Sequence, residues 1–195
     1  MSIGIKVGVD FSAFSEALDA LGDKHFRAAG MIAVNDTLRQ ANKAAVGMIA
    51  KAGSFKVADV RKRLRAIKAT RENLTGILRA SKRALPLVAF SARQVKAGVT
   101  AREWGQRRTY KGAFIATMKT GHRGVFKRVG DDRLPIRELW GPGVGRVMND
   151  ADVRGDLESL IRERLPINLK RQIERRLRAI SGKAKLSAAS QRKLR

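Results

Sequence analysis

Gly141-Pro142-Gly143-Val144-Gly145-Arg146-Val147 places three glycines within five residues, a spacing that invites comparison with phosphate-binding loops. Such a loop needs backbone N–H groups that converge on an anion, followed by Lys and then Ser or Thr. Pro142 removes one of those N–H groups and no Lys-Ser or Lys-Thr follows. Met148 stands where a dinucleotide fingerprint needs its third glycine. The nucleotide reading fails on those residues.

Acid–base chemistry fares no better. The chain has only two histidines. His25 lies beside Phe26 in a helical pattern and reads as a packing or surface residue. His122, in Thr120-Gly121-His122-Arg123-Gly124, reads as a solvated turn residue that could also contact phosphate. No Ser-Gly nucleophile elbow, His-Glu helix motif or paired carboxylates accompany them. Asp131-Asp132 could hold a metal, but two carboxylates between Gly130 and Arg133 more often form a turn. An enzyme is not expected, and neither a cofactor nor a metal.

Charge is the dominant global feature, at +25 from 42 Lys and Arg against 17 Asp and Glu. Residues 1–60 hold 7 basic and 6 acidic side chains, residues 61–133 hold 20 and 4, residues 134–150 hold 2 and 2, and residues 151–195 hold 13 and 5. Two basic blocks therefore flank a near-neutral segment. Such a field attracts polyanions and repels copies of itself unless it is screened. Candidate contacts to a DNA backbone are Arg61, Lys62, Arg63, Arg65, Arg107, Arg108, Lys127, Arg128, Arg175 and Arg176. A solvated surface, or pairing with acidic subunits, is the competing use of these residues. No reading helix or stacking platform accompanies them, so any DNA contact should be non-specific and salt-dependent.

The absence of cysteine removes disulfides and thiolate chemistry, which fits assembly in a reducing cytoplasm. MSIGIKVGVDFSAF lacks the features of a secretory signal, so none is expected, and the glycosylation-like triplets Asn35-Asp36-Thr37 and Asn73-Leu74-Thr75 then carry no meaning as such. No apolar run approaches a membrane span, so a soluble protein without a membrane partner is expected.

The elements that would position these residues suggest an α+β fold, with N-terminal helices packed on an antiparallel sheet and helices at the C-terminus. Phe14, Ala17, Leu18 and Leu21 predict a short first helix. Phe26 to Ile49 predict a longer one over Asp23 to about Lys51, rich in alanine for close packing. Val57 to Leu64 adds a turn or two of helix, capped by Ser54 or Asp59. Strands are expected at 66–70, 75–81, 85–90, 98–104, 113–118 and 124–128, joined as one basic meander with Trp104, Tyr110, Phe114 and Phe126 in strands. Asn149 or Asp150 should cap a helix that stops before Pro166. A second helix should end at Ser181-Gly182, with Lys170, Arg171, Arg175, Arg176 and Arg178 on its polar face and a mobile tail from 183 to 195. Composition divides this into a core domain, 1–150, and a basic C-terminal region, 151–195.

Between the basic blocks lies RLPIRELWGPGVG, residues 133–145, with two of the four prolines and one of the two tryptophans. Gly121-His122-Arg123-Gly124-Val125-Phe126-Lys127-Arg128, followed by Leu134, Pro135, Ile136, Glu138, Leu139, Trp140, Gly141 and Pro142, resembles the hallmark region of the minor tail protein Z family of tailed phages and prophages, also called tail completion proteins. There a "GVF.R" strand precedes an "LPI.EL.GP" segment. Ala33-Val34-Asn35-Asp36-Thr37, Ile67-Lys68-Ala69-Thr70 and Ala113-Phe114-Ile115-Ala116 match in kind and order, over roughly residues 10–165. Trp140 stands where an aromatic, commonly tyrosine, is usual, and Gly143 where serine is more typical.

The resemblance implies a non-enzymatic virion protein at the head-proximal end of the tail, made in the host cytoplasm and needed for head–tail joining or for holding the DNA end. It implies a fold similar to small neck and tail-terminator proteins, which form rings commonly of six. Expected partners are then copies of itself, the tail terminator or tail tube, the head connector, and genomic DNA through its backbone. The competing function is a free, non-specific DNA-binding protein of chromatin-like or regulatory type. Pro135 biases Leu134 away from helix, so residues 134–136 should be extended, with Leu139 and Trp140 buried against the protein's own core or a neighbour.

Overall fold

The computed structural model describes residues 2–8 and 22–193, with side chains described through residue 181. The helix expected around Phe14 to Leu21 lies outside the described residues. The fold is α+β, combining helices with antiparallel sheets. It divides into two compact units. The first comprises Met1–Gly4, Asn42–Arg65 and Arg79–Leu157; the second comprises Ile5–Ala41, Ala66–Leu78 and Glu158–Arg195. This division in space and the division by composition at residue 150 cut the chain in different places.

In chain order the strands and helices are β1 (Ser2–Gly8), α1 (Asp23–Gly53), α2 (Val57–Arg63), β2 (Leu64–Ile67), β3 (Thr75–Ser81), β4 (Ala84–Pro86), β5 (Arg93–Val95), β6 (Gly98–Glu103), β7 (Gln106–Lys111), β8 (Ala113–Thr117), β9 (Arg123–Arg128), β10 (Ile136–Glu138), β11 (Trp140–Gly143), α3 (Val144–Met148) and α4 (Ala151–Lys193). A 3₁₀ turn, Leu87–Ala89, follows β4.

The single meander expected from the sequence is divided among small sheets, ordered β1-β3-β2, β10-β9-β8, β11-β4 and β5-β6-β7. The physical reason is the placement of turns. Trp104 (φ 50°) and Gly105 (φ 75°) close a tight β6–β7 hairpin with left-handed backbone at both positions, the geometry that matches strand twist. Trp104 is thus a turn residue and not a strand residue. Pro86 and the 3₁₀ turn end the extended segment that the sequence suggested would reach Phe90. β2 begins at Leu64, two residues before the strand expected there, and ends at Ile67. Strands β1 and β5 have no counterpart among the strands expected from the sequence, and of β7 only the placement of Tyr110 in a strand was expected.

In the second unit, Phe26, Ala29 and Ala33 of α1 form a core cluster with Leu169 and Ile173 of α4. Small residues let other elements approach as well. A Cβ on Gly76 of β3 would lie 3.1 Å from Val34 Cγ1 and 3.2 Å from Leu38 Cδ2. The triplet Asn35-Asp36-Thr37 is the polar counterpart of this packing. Asn35 exchanges two hydrogen bonds with the backbone of Ala69, at 2.9 and 3.1 Å. Asp36 accepts from Arg39 at 2.9 Å and from Arg171 at 3.1 Å. Buried Thr37 donates to Ala33 O and accepts from the Asn168 amide, both at 2.9 Å.

Two helix boundaries are corrected. α2 has Lys56 at its N-cap with no side-chain cap, so neither Ser54 nor Asp59 serves there. Ser54 Oγ instead accepts the N–H of Gly105 at 3.0 Å. α4 does not stop at Pro166 or at Ser181-Gly182; it runs from Ala151 to Lys193. Proline denies the helix one N–H, but Pro166 and Ile167 are exposed, where the orphaned carbonyl can turn to water. The apolar stripe continues past it, from Val153, Leu157 and Ile161 to Leu169 and Ile173.

Candidate functional site

The 133–145 segment lies in the first unit and joins two of its sheets. Ile136, Arg137 and Glu138 of β10 pair antiparallel with Arg128, Lys127 and Phe126 of β9. Leu139 then links the two sheets: its N–H donates to Val125 O at 2.8 Å, and its carbonyl accepts from Leu87 N at 2.9 Å. Trp140 and Gly141 of β11 pair with Pro86 and Leu85 of β4. Extended backbone was expected at 134–136; the strands lie at 136–138 and 140–143, so of the expected residues only Ile136 falls in one. Val144–Met148, for which the sequence suggests no element, is a short helix.

Its glycines serve close packing. A Cβ on Gly141 would sit 2.4 Å from Glu103 Oε1 and 2.5 Å from Phe90 Cε2. On Gly143 it would sit 2.5 Å from Lys82 O, and on Gly145 2.9 Å from Ser81 O. Glu103, 7% exposed, also accepts a short hydrogen bond from the Tyr110 hydroxyl. Burial, followed by this carboxylate, pushes the Tyr110 phenol up to about 12. Glu138 meets His122 Nε2 at 2.9 Å.

The apolar side chains of the arm are divided. Leu139 and Ile136 are half-buried, whereas Leu134 is 67% and Trp140 50% exposed. Burial of Trp140 in the protein's own core is therefore overturned: β11 is a four-residue strand bonded to β4, and its start holds the indole at the surface.

Of the basic candidates, Lys62, Arg63 and Arg65 line one pocket, whereas the other pairs are divided by the strands or helix that carry them. Arg107 and Arg108 are consecutive on exposed β7, so they project to opposite faces, and Arg107 Nη1 donates to Thr100 Oγ1 at 3.1 Å. Lys127 and Arg128 of β9 are likewise split, with the Arg128 guanidinium 5.4 Å from the Phe114 ring centre. Arg175 and Arg176 belong to the second unit, and Arg176 is half-buried.

Arg61 faces a depression shared with Asn42, Lys43, Val46 and Leu64. Lys62, Arg63 and Arg65 face another, of about 460 Å³, lined also by Ser2, Arg79, Ser81 and Arg83. Sequence reasoning missed Arg79 and Arg83. The signal that could have found Arg79 is the alternation of β3, in which Gly76, Leu78 and Ala80 are buried and Arg79 and Ser81 share the other face; Arg83, beyond the strand, had no such signal.

Among the described residues no group of three or more His, Asp and Glu could hold a metal ion, and no helix is long and apolar enough to cross a membrane. The fold presents an arm with Leu134 and Trp140 exposed and an array of cations on its surface. The family described as prophage minor tail protein Z (GPZ) matches residues 13–183, and the chain belongs to that family. No curated protein and no solved structure matches the chain.

Proposed function

We propose that this phage tail protein completes the head-proximal end of the tail, where it sits in the virion as a ring, commonly of six copies, between tail tube and head connector. The observation that carries the reading is the family match over residues 13–183. The charge supports it: subunits of +25 around a DNA channel would be screened by the genome they surround. The near-neutral arm, with Leu134 and Trp140 exposed, is the surface best suited to a neighbouring subunit, the tail terminator or the connector. The basic faces are then left for the backbone of the DNA.

Imaging of intact particles tests this directly. Density for this chain as a ring between tail tube and head is the expected result. Its presence only at the distal tail tip, or its absence from particles, would overturn the placement. A free DNA-binding protein would be found outside particles.

A further inference from the structure

The pocket that gathers Lys62, Arg63, Arg65, Arg79 and Arg83 is lined by residues of the first unit. Lys62 and Arg63 end α2, Arg65 follows on β2, Arg79 lies on β3 and Arg83 just beyond it. Two hydroxyls, Ser2 and Ser81, also line it, and among the described residues no carboxylate contributes. None of the five cations makes an ion pair among the described residues, in a chain where Arg27, Arg39, Arg171 and Arg178 all do. Arg63 Nε is buried without a hydrogen-bond partner.

We infer that this pocket seats phosphate groups of a nucleic-acid backbone. Four of the five cations are arginine, whose planar fork matches phosphate oxygens, and like charges this close are best tolerated when an anion lies between them. Among the described residues the lining offers no aromatic ring on which a base could stack, so the pocket holds the strand without reading its sequence. The inference deepens the DNA contact in the proposed function and rests on it only for the source of the nucleic acid.

The test uses the purified full chain and a short duplex, titrated over a range of salt concentrations. Arg65 and Arg79 are exposed, so the double variant Arg65→Gln/Arg79→Gln should keep its fold, checked by its circular dichroism and thermal midpoint. A control, Arg93→Gln/Lys96→Gln, removes the same charge from exposed positions on and just beyond β5. The pocket variant should lose about ten-fold or more in affinity, with its logarithmic salt slope shallower by about 0.9 for each phosphate no longer neutralised, and the control should change about two-fold. Equal losses in the two variants would mean diffuse attraction and overturn the site, as would an unchanged pocket variant. Polyglutamate of matched charge that binds more tightly than the duplex would overturn it in favour of an acidic protein partner. Particle imaging that moved the protein away from the neck would leave this titration standing, and a failed titration would leave the particle position standing.

Discussion

Gly143 and Lys82 meet so closely that a single added carbon on the glycine would lie 2.5 Å from the lysine carbonyl oxygen. The obstacle is backbone, which cannot swing aside. Gly145 is in the same position against Ser81 O at 2.9 Å. Gly143→Ala and Gly145→Ala should each destabilise the protein by about 1–3 kcal/mol, the usual cost of overpacking. Gly155→Ala is the control: it is exposed within α4 with open space around it, and should gain about 0.5–1 kcal/mol from helix propensity. Thermal or urea unfolding would show the contrast, and equal midpoints for Gly143→Ala and the parent would refute it.

Tyr110 is the chain's only tyrosine, so its titration can be read by ultraviolet difference absorbance without interference from another phenol. Burial and the Glu103 carboxylate hold its pKa up at about 12. The unfolded phenol ionises near pH 10. Stability from this pair is therefore complete below about pH 10 and declines from there through pH 12, because the unfolded state releases the proton first. Glu103→Gln should move the phenol down toward its ordinary value while desolvation keeps it raised. Ionisation of the parent phenol near pH 10 would contradict the arrangement.

Thr37 and Asn168 test the polar network of the second unit. Thr37→Val keeps the shape but leaves the buried Asn168 amide without its acceptor, and should cost about 1–3 kcal/mol. Thr37→Ser retains the hydroxyl and should cost less. A Thr37→Val variant as stable as the parent in chemical denaturation would show that the hydrogen bond from Asn168 contributes nothing.

Long, periodic elements were legible in the sequence and relations between elements were not. α1 could be read because Phe26, Ala29, Ala33 and Leu38 recur at helical spacing, and β3 because its alternation is bounded by turn residues at both ends. β7 escaped because Gln106-Arg107-Arg108-Thr109 offers no apolar alternation; as an edge strand it is defined by its hydrogen bonds to β6. Pro166 read as a stop because its exposure is invisible in a single sequence. The arm was recognisable as exceptional and its residues already excluded a phosphate loop, but the reason for its glycines lay in the backbone of 81–83, which the sequence does not show. The basic residues were legible as a field but not as a site. Arg107-Arg108 are adjacent in sequence and divided by the strand, whereas Arg63 and Arg79 are distant in sequence and line one pocket.

Trp140 separates folding from assembly. Its indole is half exposed at the start of β11, while the hydrogen bonds that hold the arm belong to the backbone of Leu139 and its neighbours. Trp140→Ala should therefore change the stability of the isolated protein by about 1 kcal/mol or less, as expected for a side chain outside the core. If the arm docks on a neighbour, the same change removes an aromatic anchor, whose loss typically costs about 2 kcal/mol or more at an interface. Complementation of phage lacking the protein should then give fewer completed tails and infectious particles, with soluble, folded protein accumulating in the lysate. Leu85→Ala provides the opposite case, since Leu85 is 2% exposed and its truncation should weaken the fold itself by about 2–5 kcal/mol. Normal infectivity with Trp140→Ala would remove the indole from the assembly interface and leave Leu134 as the arm's remaining exposed anchor.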